Sequence, residues 1–178
     1  MAFVPEVSYE ESSGSLRESY DQVLEVFGFL PRFWQAQGTR PEIVRASLDL
    51  WHRLYRTGML PSPLKEEILL VISQANTDSY CIIAHLELLK RLGLEKELGR
   101  QIVRDFERAP VPDRDKAVFR FAVKVTKEPF AIREADIAEL KRHDWDSSAI
   151  LEICLVASHA NFLNRLAAAL GLVPDEVM

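Results

Sequence analysis

The stretch from residue 62 to residue 92, SPLKEEILLVISQANTDSYCIIAHLELLKRL, decides the fold. Leu64, Ile68, Val71, Ile72 and Ala75 recur at spacings of three and four, which is the period of one helix face. Ser62 suits an N-cap and Pro63 the first helical position, so a helix is predicted from Ser62 to about Asn76. The run Asn76-Thr77-Asp78-Ser79 carries side chains that bond to nearby backbone and favour caps. A second helix is therefore predicted from Ser79 to Leu92, closed by Gly93, and it places Cys81 in a first turn. The two helices would form a central hairpin.

Outward from this hairpin the same period continues. After a loose start to about Gly14, residues Leu16, Tyr20, Val23, Leu24 and Phe27 mark a helix ended by Gly28 and Pro31, with the run Phe27, Phe29, Phe33 and Trp34 docking that corner. Pro41 opens another helix, which carries Ile43, Leu48, Trp51, Leu54 and Tyr55 and stops at Gly58. Further helices are predicted at roughly 95–108, 112–127, 133–142 and 147–170, set apart by prolines and by the corner His143-Asp144-Trp145-Asp146. Strict alternation over a strand length is hard to find, so the fold expected is all-α, one bundle spanning 1–178 with short connections. Residues 67–76 and 152–161 share seven of ten identities. A duplicated helix and a shared apolar period both account for that echo.

The chain's 178 residues are 48% apolar and 28% charged, enough for a sizeable core and unlike a disordered chain. Twenty-seven acidic against 22 basic side chains leave a net charge of −5, and no dense Lys/Arg run is present to neutralise a row of phosphates. No nucleic-acid partner is expected. The acidic N-terminus shows no targeting segment, and polar residues interrupt the longest apolar stretch, Ala149 to Val173, so the expectation is a cytoplasmic protein with no membrane partner. Cys81 and Cys154 lie far apart and make no disulfide framework.

Cys81 and His85 stand four apart on one predicted helix face, within reach for an imidazole to take or return a thiol proton. First-turn amides would favour a thiolate, while a nearby Asp78 charge would oppose it. Asp78 or Ser79 can cap the helix, and Glu66 and Glu67 can be ordinary solvated charges near a helix start. A buried Cys and a core His are the structural alternative. Cys154 reads as an inert helix-interior thiol, and His159 either meets the Cys81 site or bonds a backbone carbonyl inside the core. Asp78, Cys81, His85, Glu66 and His159 together offer a mixed metal-ligand set, of which only Cys81 and His85 have a spacing that forces proximity.

Glu66 followed by Val71, Ser73, Asn76, Tyr80, Cys81 and His85 resembles the signature of the alkylhydroperoxidase AhpD and carboxymuconolactone decarboxylase family, which in redox members reads Glu, eleven residues, Cys-x-x-Cys, three residues, His. The segments Leu30-Pro31-Arg32-Phe33 and Asn161-Phe162-Leu163-Asn164-Arg165-Leu166 extend the likeness to the family's longer peroxidase-related branch. On this resemblance the family glutamate falls on Glu66, the second cysteine on Cys81 and the histidine on His85. The first cysteine falls on Asp78, which cannot close a disulfide. The resemblance implies a single AhpD-like helical domain over 1–178 and a peroxidase-related oxidoreductase using Cys81 as nucleophile with His85 and Glu66 as proton relay, the site comprising Cys81, His85, Glu66 and Asp78. It implies a small-molecule hydroperoxide substrate, an external thiol reductant, no cofactor, and a homo-oligomer, either dimer or hexamer. Its rival implications are a carboxymuconolactone-decarboxylase-like lyase using His85 and Glu66, and a non-catalytic oligomeric binding protein.

Overall fold

Helical periodicity over most of the chain turns into helices over most of the structure, a computed structural model that describes residues 2–93 and 95–174. Among the described residues there are nine α-helices, one short 3-10 turn and no strand: α1 (Gly14–Phe27), α2 (Arg32–Gln35), α3 (Pro41–Arg56), α4 (Ser62–Ala75), α5 (Ser79–Arg91), α6 (Lys96–Asp105), α7 (Asp113–Lys127), the 3-10 turn Pro129–Ala131, α8 (Glu134–Arg142) and α9 (Ser147–Ala169). The expected all-α class and the central hairpin of α4 and α5 are present. None of these helices is long and apolar enough to cross a membrane.

The centre is α4, which packs against α5, α9 and α7. Ile68, Leu69, Leu70 and Ile72 are all fully buried, so from Ile68 to Ile72 α4 is apolar all round, as a helix segment enclosed by others must be. The echo segments are the C-terminal part of α4 with its cap and the middle of α9, and these two helices pack on each other. They differ at their ends. α4 stops after Ala75, and Thr77 takes a left-handed backbone (φ 56°), uncommon for a β-branched residue, to turn the chain into α5. Asp78 N–H donates back to the Ser73 carbonyl at 2.9 Å across that corner.

Three expectations change. Ser62 is the first residue of α4 and does not cap it, because its hydroxyl donates to the Tyr55 carbonyl at 2.8 Å. The segment before Gly14 has no helix, yet it is fastened: Arg32 forms a two-pronged pair with Glu6 at 2.7 Å, and Val7 N–H donates to Gln35 at 3.0 Å. Glu66 and Glu67 are buried and not solvated. Glu67 sits where burial, with the nearby charge of Asp115, pushes its carboxyl up to about 7.

A buried ion pair ties α4 to α9. Lys65, fully buried, contacts the Glu152 carboxylate and the Thr57 carbonyl, and Glu152 accepts from Met59 N–H at 2.7 Å and Leu60 N–H at 3.2 Å. Gly58 lies beneath that carboxylate at φ 98°, and a Cβ there would collide with Glu152 Oε1. On the outer side of α9, Leu151, Leu155 and Phe162 are exposed.

Candidate active site

The helix phase of α4 carries Glu66 inward, where it has no exposed surface. A bare carboxylate in that position would be costly, and it is met by two donors. Glu66 Oε2 lies 2.7 Å from His85 Nδ1, and Oε1 accepts from Arg56 Nη1 at 3.2 Å. Arg56 comes from the end of α3 and lies 4.4 Å over the Trp51 ring, which keeps the cation close to the buried acid. With Nδ1 engaged, Nε2 is the nitrogen of His85 left to meet a reactant.

Cys81 stands one turn before His85 on α5 and is buried. Asp78 is the N-cap of that helix, its Oδ1 accepting from Cys81 N–H at 3.1 Å. Asp78 therefore takes up an amide that was expected to favour a thiolate, and it brings a negative charge to the sulfur. Burial first, then the Asp78 charge, pushes the Cys81 thiol well up, while a hydrogen bond from Asn164 works the other way. Of the two opposed influences expected on the sulfur, that of Asp78 prevails with burial, and Cys81 rests as a thiol. Asn164 is held for this contact, its Nδ2 donating to Ser73 Oγ at 3.0 Å and its Oδ1 accepting from Asn76 at 2.9 Å.

Cys81 and His85 open on one cavity of about 40 Å³, room for a group of a few heavy atoms. Its walls are Phe27, Phe33, Trp34, Trp51, Tyr80 and Leu163. Phe33 N–H donates to the Tyr80 hydroxyl at 3.0 Å, so α2 is pinned to α5 at the cavity's edge.

His159 reaches this neighbourhood through Tyr55. Its Nδ1 lies 3.2 Å from the Tyr55 hydroxyl, and its Nε2 is buried with no partner among the described residues. Burial first, with the neighbouring His85 imidazole adding to it, lowers the His159 pKa to about 4. Tyr55 is fully buried, and its hydroxyl is pushed well above the usual range by burial and then by the charge of Glu66. Of the two alternatives read for His159, neither holds as stated: it does not line the Cys81 cavity, and its partner is a tyrosine hydroxyl in place of a backbone carbonyl. Cys154 is half-buried on α9, its thiol also raised by burial, and it does not line the cavity of Cys81. Both cysteines are free.

The structure brings Glu66, His85, Cys81 and Asp78 into one connected site and leaves Cys154 outside it. The five-residue metal set does not assemble: among the described residues, no three of His, Cys, Asp and Glu are grouped to hold an ion. Arg56, Tyr55 and Asn164 were not read from the sequence as site residues. The echoed Ser73 and Asn76, with the closing Asn161 and Asn164, were the available signal for the last of them.

The carboxymuconolactone decarboxylase family model matches residues 41–128, the span from α3 through α7 that holds Glu66, Asp78, Cys81 and His85. No curated protein matches the chain. Among solved structures, the chain is similar to the alkylhydroperoxidase AhpD core of an uncharacterized peroxidase-related protein from Ralstonia eutropha JMP134, at 25% identity and a TM-score of 0.91 over 99% of this chain and 93% of that one. An uncharacterized peroxidase-related protein from Silicibacter sp. TM1040 gives 26% identity and a TM-score of 0.85 over 90% and 85% of the two chains. A debrominase in complex with 2,3,4-tribromopyrrole shares the fold at 20% identity and a TM-score of 0.86, over 98% and 92%.

Proposed function

We propose that this AhpD-like chain, matched to the carboxymuconolactone decarboxylase family, is a peroxidase-related oxidoreductase in which Cys81 reduces a hydroperoxide and the His85–Glu66 pair moves the proton. The observation that carries this reading is a buried imidazole–carboxylate pair at 2.7 Å whose histidine shares an apolar cavity with a cysteine one helical turn away. Because the resting sulfur is a thiol, the nucleophile has to be made in the step itself, which gives His85 a task. His85 Nε2 takes the thiol proton, the sulfur attacks the outer peroxide oxygen, an S–O bond forms and the O–O bond breaks. The leaving alkoxide takes the proton from the imidazolium and departs as the alcohol, leaving Cys81 as a sulfenic acid. Glu66 steadies the transient imidazolium, and Arg56 holds Glu66. With Asp78 at the first-cysteine position, an external thiol condenses with the sulfenic acid, releasing water, and a second thiol frees Cys81.

The apolar cavity favours an organic hydroperoxide over hydrogen peroxide. The test is a limiting organic hydroperoxide followed by intact-mass measurement with a sulfenic-acid trap: one adduct confined to Cys81 is expected, absent in Cys81→Ser and much slowed in His85→Ala. An adduct on Cys154 alone would overturn the reading. A second reading, a lyase that moves substrate protons, is favoured by one fact: the Glu66–His85 pair is complete without a thiolate, and the thiol rests protonated. For that enzyme turnover survives in Cys81→Ser and is lost in His85→Ala.

A further inference from the structure

A file of aromatic rings leads from the Cys81 cavity towards the far side of α9. Trp51, in the cavity wall, stacks on Tyr55 with centroids 5.7 Å apart and planes at 28°. Tyr55 meets His159 at 5.7 Å, and His159 stacks on the half-exposed Phe162 at 5.8 Å. We propose that Trp51 and Tyr55 carry one-electron oxidising equivalents away from the cavity, that Tyr55 is where they come to rest, and that His159 receives the Tyr55 proton. This path goes beyond the thiol chemistry and does not require Cys81 to react.

Indole and phenol are the side chains most readily oxidised by one electron without a sulfur, and rings in near contact exchange an electron hole quickly. A buried phenol gives up an electron readily only when its proton has a place to go, because the oxidised phenol is a strong acid. The Tyr55 hydroxyl lies 3.2 Å from His159 Nδ1. With a pKa of about 4, His159 is neutral at ordinary pH and keeps a lone pair for that proton. Tyr20 differs, its hydroxyl donating to backbone carbonyls, which take up no proton at ordinary pH. The Arg56 guanidinium over Trp51 disfavours a positive charge resting on the indole and so drives the hole on to Tyr55.

The oxidants concerned are organic peroxyl radicals, which accompany organic hydroperoxides. Such a radical takes one electron from Trp51 and, with a proton from solvent, becomes a hydroperoxide. Trp51 recovers its electron from Tyr55, whose proton passes to His159 Nδ1. A one-electron reductant such as ascorbate then returns the tyrosyl radical to tyrosine, the proton coming back from His159.

The test generates tryptophan radicals in the whole protein by pulse radiolysis with azide and follows tyrosyl radical formation optically. A Cys81→Ser background removes competing thiol oxidation and separates failure of this path from failure of the thiol reading. Tyrosyl radical yield is expected to fall at least tenfold in Tyr55→Phe, and its formation to slow at least tenfold in His159→Gln. Independently, protein carrying no substitution is exposed to peroxyl radicals from an azo initiator and its oxidised residues are mapped by mass spectrometry. Oxidation concentrated on buried Tyr55 supports the path. Oxidation concentrated on the more exposed Tyr9, or a tyrosyl yield unchanged in Tyr55→Phe, overturns it.

Discussion

Asp78 acts on Cys81 twice, through the amide it accepts at 3.1 Å and through its charge on the sulfur, and the two effects separate in one substitution. Asn caps a helix about as well as Asp, so Asp78→Asn should keep α5 in place while removing the charge. The thiol pKa should fall, and alkylation of Cys81 at fixed pH should speed up by about tenfold for each unit of that fall. Alkylation rates measured against pH check this, and an unchanged profile would mean burial alone holds the proton. At this scale the sequence was legible where residues share a helix or neighbouring turns. Cys81 and His85 announce themselves by spacing, and Glu66 by its place in the motif. Arg56, Tyr55 and Asn164 were not legible as site residues because other helices, α3 and α9, deliver them, and no local pattern says which side chains will meet. The burial of Glu66 and Glu67 was missed for a related reason: an acid in a first turn looks solvated until other helices cover it.

Among elements, the contact of Lys65 with Glu152 fixes the connection from α3 to α4 against α9. Removing one partner strands a buried charge, a loss of about 3–5 kcal/mol. Lys65→Met should lose that much stability in urea denaturation. Adding Glu152→Gln to it should recover a part, since the amide oxygen can still accept from Met59 N–H with no buried charge left unpaired. If the double variant is less stable than Lys65→Met alone, the Glu152 carboxylate is held by the loop amides and not by the lysine. Helix number and type were legible from three-and-four spacing and from proline and glycine stops, within about two residues at most ends. The four-residue α2 was not, since a single turn after Pro31 has no room to show a period. The cap assigned to Ser62 failed because its hydroxyl had a better partner in another helix.

For the molecule as a whole, two buried groups give stability opposite pH dependences. His159 has a folded pKa of about 4 against an ordinary 6.5, so its contribution is full above about 6.5 and is lost as pH falls towards 4. Glu67 has a folded pKa of about 7 against an ordinary 4.5, so its contribution is full below about 4.5 and is lost as pH rises through 7. Each amounts to roughly 3 kcal/mol at most, and between pH 4.5 and 6.5 they offset. Relative to the unsubstituted protein, His159→Gln should lose stability as pH rises through that window and Glu67→Gln should gain it, read from urea midpoints. Parallel curves would show that neither group titrates as its surroundings imply. The left-handed Thr77 has a consequence on the same scale. Nearly the same ten residues end a helix at Asn76 and run on through Asn161, so the stop resides in the next two positions, Thr77 and Asp78 in one case, Phe162 and Leu163 in the other. Thr77 is thus a hinge, and giving it the other pair, Thr77→Phe with Asp78→Leu, should straighten α4 and α5 into one rod of about 45 Å. α5 would then find its place only on a second copy, and the chains would exchange arms, giving a larger species in light scattering that does not dissociate on dilution.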